Sequence, residues 1–482
     1  MKPAPQLSEQ AGDIQALLGS GFGWLQSSRF WLLSIKDVTL ARAWLATLQA
    51  SGLLKSVQDL TAHGKQLKQQ VTELAAVAFS FEGLGTLGLT EAPDFPFPTP
   101  FRAGMGSDLR ELLLRDGPRL QWGWADTAST AATTRMTVHL LLASWWDTAV
   151  QPTLPVPCGA AFTVVQQIDG CPSYFRGGAL YEPFGFRDGL SQPVIYGLRD
   201  ETGAGTAQAR REAGAELYKD RVVAPGEFIV GYRNEYDQLG YVADVDGWQA
   251  SGLARHPGAK FGLNGSFLAV RQIEQDVVAF RQPVDTPAPA VAGCPAGVTL
   301  AEKLVGRRRD ALGTPLGWNK PQRPVSDSQA DAFRYRVDDA NGFACPRGAH
   351  IRRAHPRDAL AHDVASGIAS SKLHRLLRRG RPYRDSKGGK SSEGLFFIAC
   401  NTDLERQFEF IHQRWLRNPR FGEQDDEDDP MVGAARSEGK TFTLPGLPSG
   451  AKVSLAEYTR TLGGGYFFLP GLKALEFIAR PT

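Results

Sequence analysis

The chain has 482 residues, 42% of them apolar and 22% charged, the balance of a globular protein with substantial buried cores rather than of a disordered one. Its 54 Lys and Arg against 51 Asp and Glu leave a formal charge of +3, which excludes a whole-molecule drive toward nucleic acid or membrane. Five scattered cysteines with no CxxC pair, an N-terminus without a basic start and apolar core, and no run of membrane-spanning length predict a cytoplasmic protein.

In chain order, FWLLSIKDVTLARAWLATL predicts a strand from Phe30 to Ile35 feeding a helix whose Leu40, Ala43, Trp44 and Leu48 recur at helical spacing. TELAAVAFSF, MTVHLLLAS and GEFIVGY predict further apolar strands. GSFLAVRQIEQDVVAFRQ repeats the strand-then-helix order, with a strand near Phe267 to Gln272 and a helix from about Gln275. GLFFIACNTDLERQFEFIHQRWL repeats it again, with a strand from Leu395 to Ala399 and a helix from near Asp403. The alternation is not the regular one of a doubly wound sheet, so an α+β fold is expected, divided near Val223. TGAGTAQARREAGAE and PVDTPAPAVAGCPAG, rich in Ala, Gly and Pro, predict insertions.

Chemistry-bearing residues are sparse. EPFGFRDGLSQP, Glu182 to Pro193, brackets the adjacent Arg187 and Asp188 with Gly185 and Gly189, so a tight turn carries a carboxylate. Among eight histidines, His350 stands apart. In FACPRGAHIRRAHPRD a turn of small residues presents its imidazole just before Arg352, Arg353 and Arg357. A neutral imidazole suits haem iron and guanidinium groups suit the two haem carboxylates; an exposed basic turn with an incidental histidine is the alternative. KLHRLLRRGRPYR reads as a solvated helix face or a phosphate patch. It lacks interleaved aromatics, and EQDDEDD, Glu423 to Asp429, compensates its charge, so nucleic-acid binding is not expected.

Taken together these stretches resemble the dye-decolorizing peroxidases, a family of haem enzymes. EPFGFRDG is similar to the family's GxxDG signature, with Gly185, Asp188 and Gly189 at the fixed positions. GEFIVGYRNEYD, NGSFLAVRQIEQDVVAF, CPRGAHIRRAHPR, LLRRGRPY, GLFFIACNTDLERQFEFI and GGGYFFLPGLKAL follow in the family's order. The resemblance covers nearly the whole chain and is closest to the family's longer members. It implies two ferredoxin-like α+β domains, 8–222 carrying the GxxDG motif and 223–482 binding one haem b per chain. The implied activity is a peroxidase that uses hydrogen peroxide to oxidise dyes, phenols or other aromatic donors through a ferryl intermediate; a non-catalytic haem carrier or sensor is the alternative.

The resemblance also implies roles for single residues. His350 would be the proximal iron ligand, and Glu409 the carboxylate behind it, with Asp403 and Glu405 as alternatives. Asp188 would be the distal proton shuttle, Arg378 the distal arginine, Arg357 a propionate ligand, and Leu268 and Val270 distal-pocket side chains. His355 stands where the family commonly has asparagine, and Val270 where it commonly has phenylalanine. Trp122, Trp124, Trp145, Trp146, Trp248, Trp318, Trp415, Tyr232, Tyr236 and Tyr383 are candidate electron relays. Expected partners are peroxide and a small aromatic donor, without nucleic acid or membrane, in a monomer or homodimer.

Overall fold

The computed structural model describes residues 7–61, 70–114, 137–198, 214–254, 256–284, 296–318, 320, 322–385, 392–433, 439–446 and 451–480. Most of the insertions expected at 202–216 and 283–297, and Trp122 and Trp124, lie outside these residues.

Eight strands carry the fold: β1 Ser27–Ile35, β2 Glu73–Phe79, β3 Leu140–Trp146, β4 Phe162–Gly170, β5 Ser266–Gln275, β6 Arg381–Asp385, β7 Ser392–Asn401 and β8 Thr459–Leu469. The first four pair antiparallel in the order β4-β1-β3-β2 and the last four in the order β8-β5-β7-β6. Numbered within each half, both orders are 4-1-3-2 or its reverse, the order of a ferredoxin-like sheet. The halves join at two seams, Tyr383 opposite Gly170 and Phe468 opposite Phe79, so the eight strands close into a ring with no free edge. A boundary at 223 divides the strands four and four; it falls in the long irregular connection between β4 and β5.

Period-two alternation explains the ring's interior. Phe30 and Leu32 of β1, Leu268 and Val270 of β5, and Phe396 and Ile398 of β7 share one buried cluster, and the Phe30 and Phe396 rings stack at 4.3 Å. A second cluster lies outside the ring. There α1, Val38–Ala50, begun by the Asp37 side chain capping the Leu40 amide, sets Trp44, Leu45 and Leu48 beside Leu475 and Ile478 of the helix Leu472–Ala479. Both clusters draw on both halves.

GEFIVGY is not a strand. Pro225 opens a tight turn in which the Phe228 and Ile229 amides both return to the Pro225 carbonyl, while the Gly226 amide closes onto the Arg233 carbonyl. Its apolar side chains are buried as expected, but beyond the turn its backbone pairs with irregular segments rather than a strand: the Val230 amide donates to the Gly265 carbonyl, and the Asn264 amide donates to the Val230 carbonyl.

Candidate active site

A cavity of about 500 Å³ opens beside the second half-sheet. The face of β5 opposite the ring interior gives it Arg271, Ile273 and Gln275, and the matching face of β7 gives it Leu395 and Phe397. Leu268 and Val270 are therefore not pocket residues: they point the other way, into the ring core, at 1% and 0% exposure. Alternation does place both on one face, but on the interior one. The side chains lining the cavity come from the odd positions of β5 and from a second strand.

One wall is the GxxDG turn. A two-rung hairpin, Phe175–Arg176 with Ala179–Leu180, extends through a bridge between Tyr181 and Arg187, and the Asp188 amide donates to the Leu180 carbonyl. Gly185 and Gly189 have φ of +93° and +80°, which explains why glycine stands on both sides of Asp188. The Gly189 amide donates to Asp188 Oδ1 at 2.7 Å. Arg378 stands in the short strand Leu377–Arg378, which pairs with β7 just before β6. Its amide donates to Gln192 Oε1 and its Nη2 to the Leu190 carbonyl, at 3.0 and 2.8 Å, so the arginine is stitched to the turn that carries Asp188. Arg379 points the other way and donates to Leu17 and Leu18 carbonyls.

The opposite chemistry is at His350, the first residue of the short helix α2, His350–Ala354. Its Nδ1 lies 2.9 Å from Asp429 Oδ2 and 3.1 Å from Oδ1, which sets the tautomer: Nδ1–H donates to the carboxylate and Nε2 keeps its lone pair. Asp429 is fully buried. Burial pushes its carboxyl up, but the interaction with His350, the Val432 amide and Arg353 more than offset this and hold it below its ordinary value. Glu409 is not the carboxylate behind the histidine. It accepts from the Tyr466 hydroxyl and pairs with Arg110 Nε, each at 2.8 Å, and burial raises its pKa.

The acidic run that supplies Asp429 is a solvated counterweight only in its first part: Glu423, Asp425 and Asp426 are exposed, but Glu427, Asp428 and Asp429 are buried. Gly348, two residues before the histidine, lets this run approach: a Cβ there would sit 2.0 Å from Glu427 Oε1. Arg353 clamps the same segment by donating to the carbonyls of Trp415, Asn418 and Glu427. Of the three arginines after His350, Arg352 likewise serves backbone, donating to the Asp339 and Cys345 carbonyls, and only Arg357 lines the cavity.

Arg357 belongs to a cationic wall with Arg307, Arg375 and Arg378. One carboxylate, Asp331, is shared by Arg221, Arg307 and Arg357. Burial and neighbouring cations push Arg307 down to about 10 and Arg375 down to about 9. His355 Nε2 accepts from Arg375 at 2.6 Å, and burial followed by the surrounding arginines holds its pKa far below the usual imidazole value, so it is neutral. This wall is short of negative charge. An apolar floor, a histidine with one ring nitrogen left for a metal, and a surplus of buried guanidinium groups fit a haem with its two propionates.

His412 also lines the cavity, its Nε2 3.4 Å from Arg271 Nη1, on a segment wound with i→i−5 hydrogen bonds, such as Glu409 N to Leu404 O and Arg417 N to His412 O. The helix expected from near Asp403 is thus present but underwound.

No family model matches the chain. It is 28% identical over 488 residues to a dye-decolorizing peroxidase of Exidia glandulosa, covering 93% of this chain and 83% of that protein. It is 27% identical to the multifunctional dye peroxidase DyP2 of an Amycolatopsis species, covering 92% and 90%. The chain is a relative of the dye-decolorizing peroxidases. The DyP-type peroxidase of Anabaena sp. superposes with a TM-score of 0.72 at 22% identity, covering 98% of this chain and 95% of that one, and the fungal DyP-type peroxidase of Auricularia auricula-judae with 0.70 at 21%, covering 98% and 99%. The dye-decolorizing peroxidase fold therefore extends over almost the whole chain.

Proposed function

We propose that this protein is a haem-dependent peroxidase that uses hydrogen peroxide to oxidise dyes, phenols or other small aromatic donors, with one haem b per chain. The observation that carries the reading is a single cavity lined by a carboxylate-backed histidine, an aspartate, an arginine stitched to the turn that carries that aspartate, and an arginine wall short of anions. A related dye-decolorizing peroxidase has been solved in complex with 2,6-dimethoxyphenol, which supports a phenolic donor.

Haem would supply the iron at which the O–O bond of peroxide breaks. His350 Nε2 would hold that iron, and Asp429 makes the imidazole more basic by accepting the Nδ1 proton. Asp188 would take a proton from one peroxide oxygen and return it to the other, a transfer worth on the order of 10² to 10⁴ in rate for a positioned carboxylate. The fixed charge of Arg378 would stabilise negative charge on the peroxide. Arg307, Arg357 and Arg375 would bind propionate oxygens, and Leu395, Phe397 and Ile273 would exclude water. We also propose a reducing, cytoplasmic setting, supported by the free thiols of Cys158, Cys171, Cys345 and Cys400.

The test is to measure the visible spectrum of purified holoprotein before and after peroxide, together with oxidation of 2,6-dimethoxyphenol. A haem spectrum that changes within seconds and returns as the phenol is consumed is expected. Bound haem that peroxide leaves unchanged would overturn the peroxidase reading in favour of a carrier or sensor.

A further inference from the structure

The same turn that carries Asp188 holds a second carboxyl in the cavity, Glu182. Its Oε1 accepts from the Phe186 amide at 2.8 Å, and its Oε2 from the Phe184 amide at 3.0 Å and from Gln275 Nε2 at 2.6 Å. The side chain thus closes the turn on itself from Glu182 to Phe186 and ties it to β5. The other end of that amide, Gln275 Oε1, is buried with no hydrogen-bond partner among the described residues. The surroundings are apolar: the Phe184 ring stacks on Phe280 at 4.0 Å.

We propose that Glu182 is a second proton-holding carboxyl beside Asp188, a positioning residue whose charge state is accommodated by the Gln275 amide and sets the alkaline limit of peroxide activation. The effect on peroxide rests on the peroxidase reading; the titration of Glu182 does not. As a carboxylate, Glu182 accepts all three donors as seen. Once protonated it needs an acceptor, and a half-turn of the Gln275 amide offers Oε1 in place of Nε2, so each charge state has its own hydrogen-bond arrangement with the backbone unmoved. Buried polar groups left without partners are costly, and the orphaned Oε1 is the group this second arrangement satisfies.

The balance of forces places the exchange near neutrality. Burial raises the carboxyl most, Gln275 and the Phe186 and Phe184 amides pull it back, and the charge of Asp188 raises it again, to about 7. The charged groups around it are Asp188 and Arg187 on its own turn, Arg271 on β5, Arg309, whose side chain lies 3.8 Å from where a Gly185 Cβ would stand, and Arg378 with Arg381 from the strand pair before β7. Asp276 at the end of β5 faces solvent and caps the Ala279 amide. Above its transition Glu182 therefore adds a negative charge to the peroxide side that it does not carry below. That charge opposes further negative charge on the peroxide, so activation should decline as pH rises through the Glu182 transition.

The experiment is an infrared titration of carboxyl C=O absorption on the holoprotein from pH 4 to 9, run alongside the second-order rate of its reaction with peroxide. Wild type should show a carboxyl that loses its proton near neutral pH together with the alkaline decline in rate. Glu182→Gln should lose both the band and the alkaline decline. Should that variant not fold, two others keep the test open: Asp188→Asn should move the transition to lower pH by removing a neighbouring charge, and Gln275→Leu should move it higher by removing a donor. A carboxyl band confined to ordinary acidic pH, a neutral-range band that survives Glu182→Gln, or a transition that neither Asp188→Asn nor Gln275→Leu displaces would overturn the proposal. The infrared result stands whether or not the holoprotein reacts with peroxide, so failure here is separate from failure of the peroxidase reading.

Discussion

The His350 side and the Asp188 side of the cavity are built by opposite means. Around His350, charged side chains do the fixing: Asp429 is buried against the imidazole, and Arg353 holds three carbonyls of the segment that delivers Asp429. Around Asp188 the backbone does it, through a short hairpin, two left-handed glycines and amide donors, with Arg378 and Arg375 reaching in from the other half of the chain to the Leu190 and Ser191 carbonyls. A metal ligand needs one immovable direction, which buried ion pairs and arginine clamps supply. A proton shuttle, the role proposed for Asp188, has to exchange its proton, and a backbone-built turn with glycines at 185 and 189 leaves its carboxylate room to do so.

The sharpest way to break this comparison is at the ligand. His350→Ala should lose bound haem altogether, whereas His355→Ala should keep it, because His355 Nε2 is already taken by Arg375. Haem absorbance per chain after purification decides between them. Next in size, Asp188→Asn and Arg378→Leu should each slow the reaction with peroxide by on the order of 10²-fold to 10⁴-fold while the resting spectrum stays close to wild type, as stopped-flow mixing would show.

A smaller effect separates the two carboxylates that sequence reasoning could confuse. Asp429→Asn should lower activity or iron retention by roughly 10-fold to 100-fold and raise the reduction potential of the iron, since the imidazole loses its anionic partner. Glu409→Gln, which perturbs only the Tyr466 and Arg110 contacts, should leave that potential near wild type. Spectroelectrochemical titration of both variants measures this.

The smallest effect concerns acid. Burial pushes Asp331 up, but Arg357, Arg221, Arg307 and Ser191 more than compensate and hold it below its ordinary 3.8. A carboxyl depressed in the folded state contributes stability that is fully present above its unfolded pKa and lost as pH falls through the folded one. Unfolding free energy should therefore drop as pH falls below about 4, and Asp331→Asn should flatten that slope, at the cost of leaving three buried guanidinium groups without their shared anion. Denaturant titrations at several acidic pH values would show a flattened slope or refute it.

The sequence made the strands legible wherever apolar residues ran unbroken, as in β1, β5 and β7, and local turn chemistry drew attention to His350 and Asp188, whereas Arg378 stood out only through the family resemblance. What it hid was long-range. Asp429 sits in EQDDEDD, which has the composition of a solvated run and whose last three acids are buried where Gly348 and Arg353 receive them. The signal available was the position of its last acid directly before the apolar Pro430, Met431 and Val432. Alternation puts Leu268 and Val270 on one face of β5, yet it cannot say which face meets the ring interior. GEFIVGY has the composition of a strand, but Pro225 and Gly226 commit its backbone to a turn.

Closure of the ring also bears on how the protein comes to hold its cofactor in a cell. The seam between β2 and β8 brings Phe79 against Phe468, and β8 is at the same time a neighbour of β5, whose outward face floors the cavity. Contacts so distant along the chain form slowly and late. During synthesis at roughly 5–20 residues per second, β5 would wait about 10–40 s for β8 to emerge, with one edge unpaired and its cavity face unsupported. Haem capture should therefore follow completion of β8, and chains stalled before it should accumulate as haem-free material prone to pair through that open edge.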